Sequence, residues 1–189
     1  LTNAFTLAPV PGAIASVGAV PVFVGVTEDL VIDLDDLEAR ADQGGADQAD
    51  VLMLSHMRGH LCDMDRLMEI CQAKGIRVIE DCAHTMGASW RGKPSGLWGD
   101  MACYSTQTYK HVNSGEGGLL VSNDAELMAR ATILSGSYML YGRHLAAPGP
   151  EVFEKVKYHT PNVSVRMDHL RAAILRPQLR NLDAQCEAW

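Results

Sequence analysis

The sequence has no apolar run approaching the roughly 20 residues that a membrane-spanning helix requires, and its first residues lack the basic-then-apolar order of a secretory leader. No membrane partner is expected. Basic residues are the minority, 16 Lys and Arg against 23 Asp and Glu for a formal charge of -7. They are scattered, so the basic face demanded by nucleic acid is missing. The cysteines Cys62, Cys71, Cys82, Cys103 and Cys186 are odd in number and show no C-x-x-C spacing, which signals neither a disulfide framework nor a zinc site; no metal is expected. Three of them lie in apolar segments, where a free thiol packs as a small core residue, and a reducing cytoplasm fits that pattern best. Internal repeats and low-complexity tracts are absent as well.

What remains is ordinary globular material: 189 residues, 47% hydrophobic and 21% charged, enough for one sizeable core. The segment from Val20 to Val26 reads as a strand, and Asp33 to Ala41 as a short capped helix followed by a linker from Gln43 to Gln48. Val51 to His56 is nearly continuous in apolar residues, the pattern of a strand buried on both faces of a parallel sheet. Asp63 to Ala73 carries helical spacing up to a stop at Gly75, and Arg77 to Asp81 is the next strand. This strand, helix, strand order is a βαβ unit, whose functional groups gather at the carboxyl ends of the strands. His56 and Asp81 sit at such ends and are expected to face one crevice. Met101 to Ser105 and Gly118 to Ser122 read as a hairpin-like pair around a loop, and Asp124 as the cap of another helix. Ser137 to Pro150 reads as loop, and Met167 to Ala188 as a helix broken at Pro177.

The chemistry concentrates between Glu80 and Gly118. Lys110 is a lone lysine among Ser105, Thr106 and Thr108, followed by Gly115, Gly117 and Gly118. Hydroxyls and glycines of this kind allow close backbone approach around a phosphate. With Asp81 ending an apolar strand upstream, the set is what a pyridoxal phosphate site requires: an amine to form the imine and a carboxylate to keep the ring nitrogen protonated. Each residue has a plainer reading. A strand-terminal Asp is usually a turn former, lysines are mostly solvated, Gly-Glu-Gly-Gly is also a turn into a strand, and His84 could simply satisfy the core.

Asp81, Ser105 and Lys110, in this order, resemble the DegT/DnrJ/StrS-like family of pyridoxal-phosphate aminotransferases that act on nucleotide-linked keto sugars and cyclitols. The matching pieces include Gly18 to Phe23, His56 to His60, Glu80 to His84, Ser105 to Gly118, Arg166 to Asp168, and Gln178 with Leu179. The resemblance implies an α/β fold, the fold type I large domain, with a mostly parallel central sheet between helices in three layers. Residues 1–160 would be the core of that domain, and residues 161–189 a helical segment leading toward a small domain outside this sequence. It further implies that Lys110 is the imine-forming lysine, Asp81 the partner of the pyridine nitrogen and Ser105 a phosphate ligand. Ala83 and His84 would line the cofactor, His84 standing where the family commonly has Gln. The family's stacking aromatic falls at Leu7, with Phe5 two residues earlier.

Asn162 to Arg166 resembles the loop that reaches the cofactor of the other subunit, so Asn162, Ser164 and Arg166 are the candidates for that contact. The implied protein is a homodimer with a composite site, using an amino-acid donor, glutamate by expectation, and a keto-sugar or keto-cyclitol acceptor. Two other readings share the scaffold. One is a pyridoxal-dependent sugar dehydratase, which carries histidine where Lys110 stands. The other is an inactive regulatory relative.

Overall fold

The computed structural model describes residues 1–42 and 49–188; the linker read at Gln43 to Gln48 lies outside them. A six-stranded sheet forms the centre. It contains β1 (Thr2–Asn3), β2 (Phe23–Val24), β3 (Val51–Ser55) and β4 (Arg77–Asp81), with a separate two-stranded hairpin of β5 (Ser89–Trp90) and β6 (Lys93–Pro94) preceding β7 (Met101–Ser105) and β8 (Gly118–Val121). The order is β2-β1-β3-β4-β7-β8. All neighbours are parallel except β7 and β8, the antiparallel pair expected around the Lys110 loop. Strand order reverses at β1 and β3, and open α/β sheets bind ligands outside the carboxyl ends of the strands at such a switch point.

Helices flank both faces. Between the strands run α1 (Pro9–Ser16), α2 (Leu34–Ala41) and α3 (Met64–Ala73), and after β8 come α4 (Ala125–Ser135), α5 (Pro150–Val156), α6 (His169–Arg180) and α7 (Leu182–Ala188). Aspartate caps set four of these starts: Asp33, Asp63, Asp124 and Asp168 each accept backbone N–H bonds from the first turn. The main core joins Leu37 of α2 and Met64 and Leu67 of α3 to Leu52, Leu54 and Val78 of the sheet. A smaller core holds Ile133 of α4 against Phe153 and Val156 of α5, with Tyr141 stacked on Phe153 at 4.1 Å between ring centroids.

Several elements differ from the sequence reading. The run read as strand from Val20 to Val26 forms only the two residues of β2. β3 is deeply buried on the α2 and α3 side alone, while Val51 and Met53 are half-buried and share a groove with Ile14 and Val17 of α1. α1 was not read from the sequence; it begins on Pro9, and proline within a first turn costs no hydrogen bond. α6 passes through Pro177 and ends at Asn181. Its last turn is held from outside, because the Gln178 amide donates to the Asn113 carbonyl at 2.8 Å and accepts from the Asn113 N–H at 3.0 Å.

Candidate active site

The parallel register of β3 and β4 pairs Ser55 with Asp81. Residues paired in this way project to the same face, and their sequence neighbours to the other. The consequence is visible in the hydrogen bonds. Ser55 Oγ donates to Asp81 Oδ2 at 3.1 Å, and the Ala83 N–H donates to Asp81 Oδ1 at 3.1 Å. Ser55 is fixed in turn by Asn3 at the end of β1, whose Oδ1 accepts the Ser55 N–H at 2.8 Å while its Nδ2 donates to the Ser55 carbonyl at 3.0 Å. The three strand ends at the switch point are thus tied side by side beneath one carboxylate.

One residue on, the polarity inverts. His56 does not share the crevice with Asp81 as its place in the sequence suggested; its side chain turns to the opposite face and its Nε2–H donates to buried Glu80 at 3.0 Å. The correction follows from the two-residue period of a strand, which sends adjacent side chains to opposite faces. Glu80 also accepts the N–H groups of Gly96, Trp98 and Gly99, each at 2.8 Å. The approach is so close that a Cβ at Gly99 would lie 2.5 Å from the Val78 carbonyl. Glu80, His56 and Cys82 lie close enough to surround an ion. Each Glu80 oxygen, however, already accepts two hydrogen bonds.

Lys110 lies in the loop after β7. Its N–H donates to the Gln107 carbonyl at 2.9 Å, its carbonyl accepts from Asn113 Nδ2 at 2.8 Å, and the neighbouring His111 Nε2–H donates to the Met86 carbonyl at 2.7 Å. The first two bonds close the loop upon itself, and the third fastens it to the turn after His84. Through Asn113, α6 clamps the same loop. At its far end Gly117 takes a left-handed conformation where a Cβ would fall 2.6 Å from Thr106 Oγ1. Among the described residues, Thr106 Oγ1 is itself buried without a hydrogen-bond partner.

Lys110, Ala83, His84, Thr108, Tyr109 and His111 line a cleft of about 230 Å³. The Lys110 ammonium makes no ion pair among the described residues. His84 Nδ1 accepts the Arg58 N–H at 3.1 Å, so the ring proton stands on Nε2. Its pKa is lowered from 6.5, first by burial, then by the Lys110 charge, with Arg58 adding to the effect and Asp81 opposing it. The imidazole is therefore a neutral donor at physiological pH.

Ser105 ends β7 beside β4, its Oγ accepting the Gln107 N–H at 3.3 Å. Asn162 and Arg166 do not line the Lys110 cleft. Asn162 Oδ1 accepts from Ser164, while Arg166 donates to the Gly136 carbonyl at 3.1 Å and lies over the Tyr138 ring. Arg166 instead borders a second hollow with Glu116, Gly117 and Gly118. Leu7, rather than Phe5, lines a neighbouring cleft with Met57, Arg58 and His84. Sequence reasoning missed Asn3, Ser55 and Asn113 as positioning groups. The signal for Ser55 was present, since two adjacent five-residue strands in parallel register bring their last residues together.

Among the described residues, no helix is long and apolar enough to cross a membrane. The family model described as the DegT/DnrJ/EryC1/StrS aminotransferase family matches residues 1–188. The chain is 35% identical to the dTDP-3-amino-3,4,6-trideoxy-alpha-D-glucose transaminase of Micromonospora megalomicea, over 97% of this chain and 46% of the relative. It is also 35% identical to the L-glutamine:2-deoxy-scyllo-inosose aminotransferase of Streptoalloteichus tenebrarius, over 91% of this chain and 40% of that one. The crystal structure of 3-amino-5-hydroxybenzoic acid synthase superposes with a TM-score of 0.76 at 30% identity, covering 97% of this chain and 45% of the other. The chain thus spans less than half the length of these relatives. With its mostly parallel sheet, flanking helices and lysine-bearing cleft, it belongs to the DegT/DnrJ/EryC1/StrS aminotransferase family.

Proposed function

We propose that this chain is the cofactor-binding core of a pyridoxal-phosphate aminotransferase. It would move an amino group from glutamate or its amide glutamine onto a keto sugar, nucleotide-linked or free, or a keto cyclitol. The observation that carries the reading is the cleft itself, where an amine without an ion-pair partner stands beside a neutral imidazole, next to the strand that ends at Asp81. These groups fit the cofactor's chemistry: an amine to bond its aldehyde, a carboxylate to hold the ring-nitrogen proton, and an N–H donor for its phenolic oxygen. When bound, pyridoxal phosphate supplies an electron sink that stabilises negative charge on the substrate carbon.

The chain's own residues do the rest. Lys110 Nζ would hold the cofactor through its aldehyde and would serve as the general base and acid for the proton on the substrate carbon. Asp81 keeps the ring nitrogen protonated, its carboxylate aimed by Ser55 Oγ and the Ala83 N–H. His84 donates through Nε2, and Ser105 contributes a hydroxyl to the phosphate. Asn162 or Arg166 would serve the partner's site in a homodimer, which suits their distance from the Lys110 cleft in the single chain. A cytoplasmic location accords with free thiols and a soluble substrate class.

The direct test is a half-reaction. Protein loaded with pyridoxal phosphate and mixed with L-glutamate or L-glutamine should convert the cofactor to its amine form. No conversion with either donor, despite cofactor uptake, would reject transamination. Asp81→Asn is expected to retain cofactor uptake while slowing the conversion by roughly 100-fold or more, and an unchanged rate would remove Asp81 from its role. Ser55→Ala, which deletes one hydrogen bond to that carboxylate, should slow conversion by a smaller factor, about 3- to 10-fold, as measured by stopped-flow absorbance.

A further inference from the structure

The cleft beyond His84 contains a cation that the cofactor chemistry does not use. Arg58 follows β3 with φ 56 and ψ 21, a left-handed conformation that non-glycine residues rarely hold without compensation. The compensation is specific, since this backbone turn aims the Arg58 N–H at His84 Nδ1 at 3.1 Å. Arg58 lines a cleft of about 460 Å³ with Leu7, Met57 and His84, and its charge is felt at the imidazole. His84 borders both this hollow and the Lys110 cleft, so the two meet at its ring. Among the described residues no carboxylate pairs with the Arg58 guanidinium, although five of the other arginines (Arg40, Arg66, Arg91, Arg130 and Arg171) form ion pairs with acids close by in sequence or fold.

We infer that Arg58 binds the anionic group of a substrate, a carboxylate or a phosphate, in the cleft that shares His84 with the Lys110 cleft. The inference rests on the aminotransferase reading for what lies on the Lys110 side. A guanidinium is a rigid fork of donors matched to two oxygens of such groups. Here Arg58 is exposed and shares the lining of one cleft with Leu7 and Met57, which leaves it open to an incoming substrate group. A neutral cyclitol offers it nothing, so in that branch its ligand is the carboxylate of the amino donor. A nucleotide-linked sugar offers a diphosphate.

The experiment uses His84 as an internal reporter. Imidazole NMR shifts of the cofactor-loaded protein would be titrated with L-glutamate in one arm and thymidine diphosphate in the other. An anion on Arg58 screens the charge that helps to depress His84, so saturation should move the His84 titration upward. Arg58→Gln should weaken the binding arm by about 10- to 100-fold, with Arg58→Lys in between. Pyridoxal phosphate uptake should be unchanged in both variants. Equal binding by wild type and Arg58→Gln, or binding of neither anion by wild type, overturns the proposal. Loss of pyridoxal phosphate affinity in Arg58→Gln also overturns it, because the guanidinium would then serve the cofactor. Failure of the aminotransferase reading would be seen separately, as absence of cofactor uptake by wild type.

Discussion

Glu80→Ala should destabilise the protein by about 3–5 kcal/mol, a large share of the ~5–15 kcal/mol that holds a domain of this kind folded. The reason is the number of groups that depend on one carboxylate. The His56 Nε2–H and the N–H groups of Gly96, Trp98 and Gly99 all end on it, at the edge of the core. Alanine leaves four donors unmade, two of them buried and two part-buried, and a cavity besides. Glutamine is a poor rescue, since its amide nitrogen must face one of the two donor pairs. Urea unfolding monitored by circular dichroism measures both variants, and a loss below ~1 kcal/mol for Glu80→Ala would contradict this account.

The same network sets an acid limit. Burial is the strongest influence on Glu80 and pushes its pKa up, but the His56 hydrogen bond, the Gly99 and Gly96 N–H groups and the pull of the His56 ring together bring it below the ordinary 4.5. A carboxylate whose folded pKa is depressed stabilises the fold fully above its unfolded value, and loses that contribution as pH falls through the folded one. Wild type should therefore lose stability on acidification below about 4.5, and Glu80→Ala should show a shallower loss over that window.

Much of this architecture was legible because burial and capping leave local signatures. The apolar runs at Val51 and Arg77 and the aspartates at 33, 63 and 124 gave two strands and the starts of three helices nearly to the residue. The Lys110 loop stood out through its glycines, and its antiparallel setting followed from the short separation of the flanking strands. What escaped were features decided by distant partners. α6 survives Pro177 because Gln178 is anchored on Asn113, sixty-five residues earlier in the chain. The orientation of His56 depends on the pleat of β3 and on which face finds Glu80. The sheet sends the two acids of Glu80-Asp81 to opposite faces, one a structural acid in the core and the other half-buried and held by Ser55 and the Ala83 N–H.

Lys110→Ala should abolish the covalent chromophore that forms when pyridoxal phosphate is added, and lower transamination by at least about 100- to 10,000-fold, the range attributable to positioned proton transfer alone. The fold should not change. The Lys110 backbone bonds, N–H to Gln107 and carbonyl from Asn113, survive the truncation, and the ammonium makes no hydrogen bond or ion pair among the described residues whose loss would be felt. What should respond is His84, whose pKa the Lys110 charge helps to lower. Its titration should move up toward the ordinary 6.5 in the variant, as read by imidazole NMR. The two readouts separate the competing readings of the scaffold. An unchanged spectrum in Lys110→Ala would assign covalent capture to another group and sink the proposed role. An upward shift at His84 without any chromophore in wild type would leave a lysine correctly placed in a site that takes no cofactor, which is the regulatory relative. Loss of the chromophore together with loss of the amino-donor half-reaction is the result expected of an aminotransferase, because only there does one amine both hold the cofactor and carry the proton.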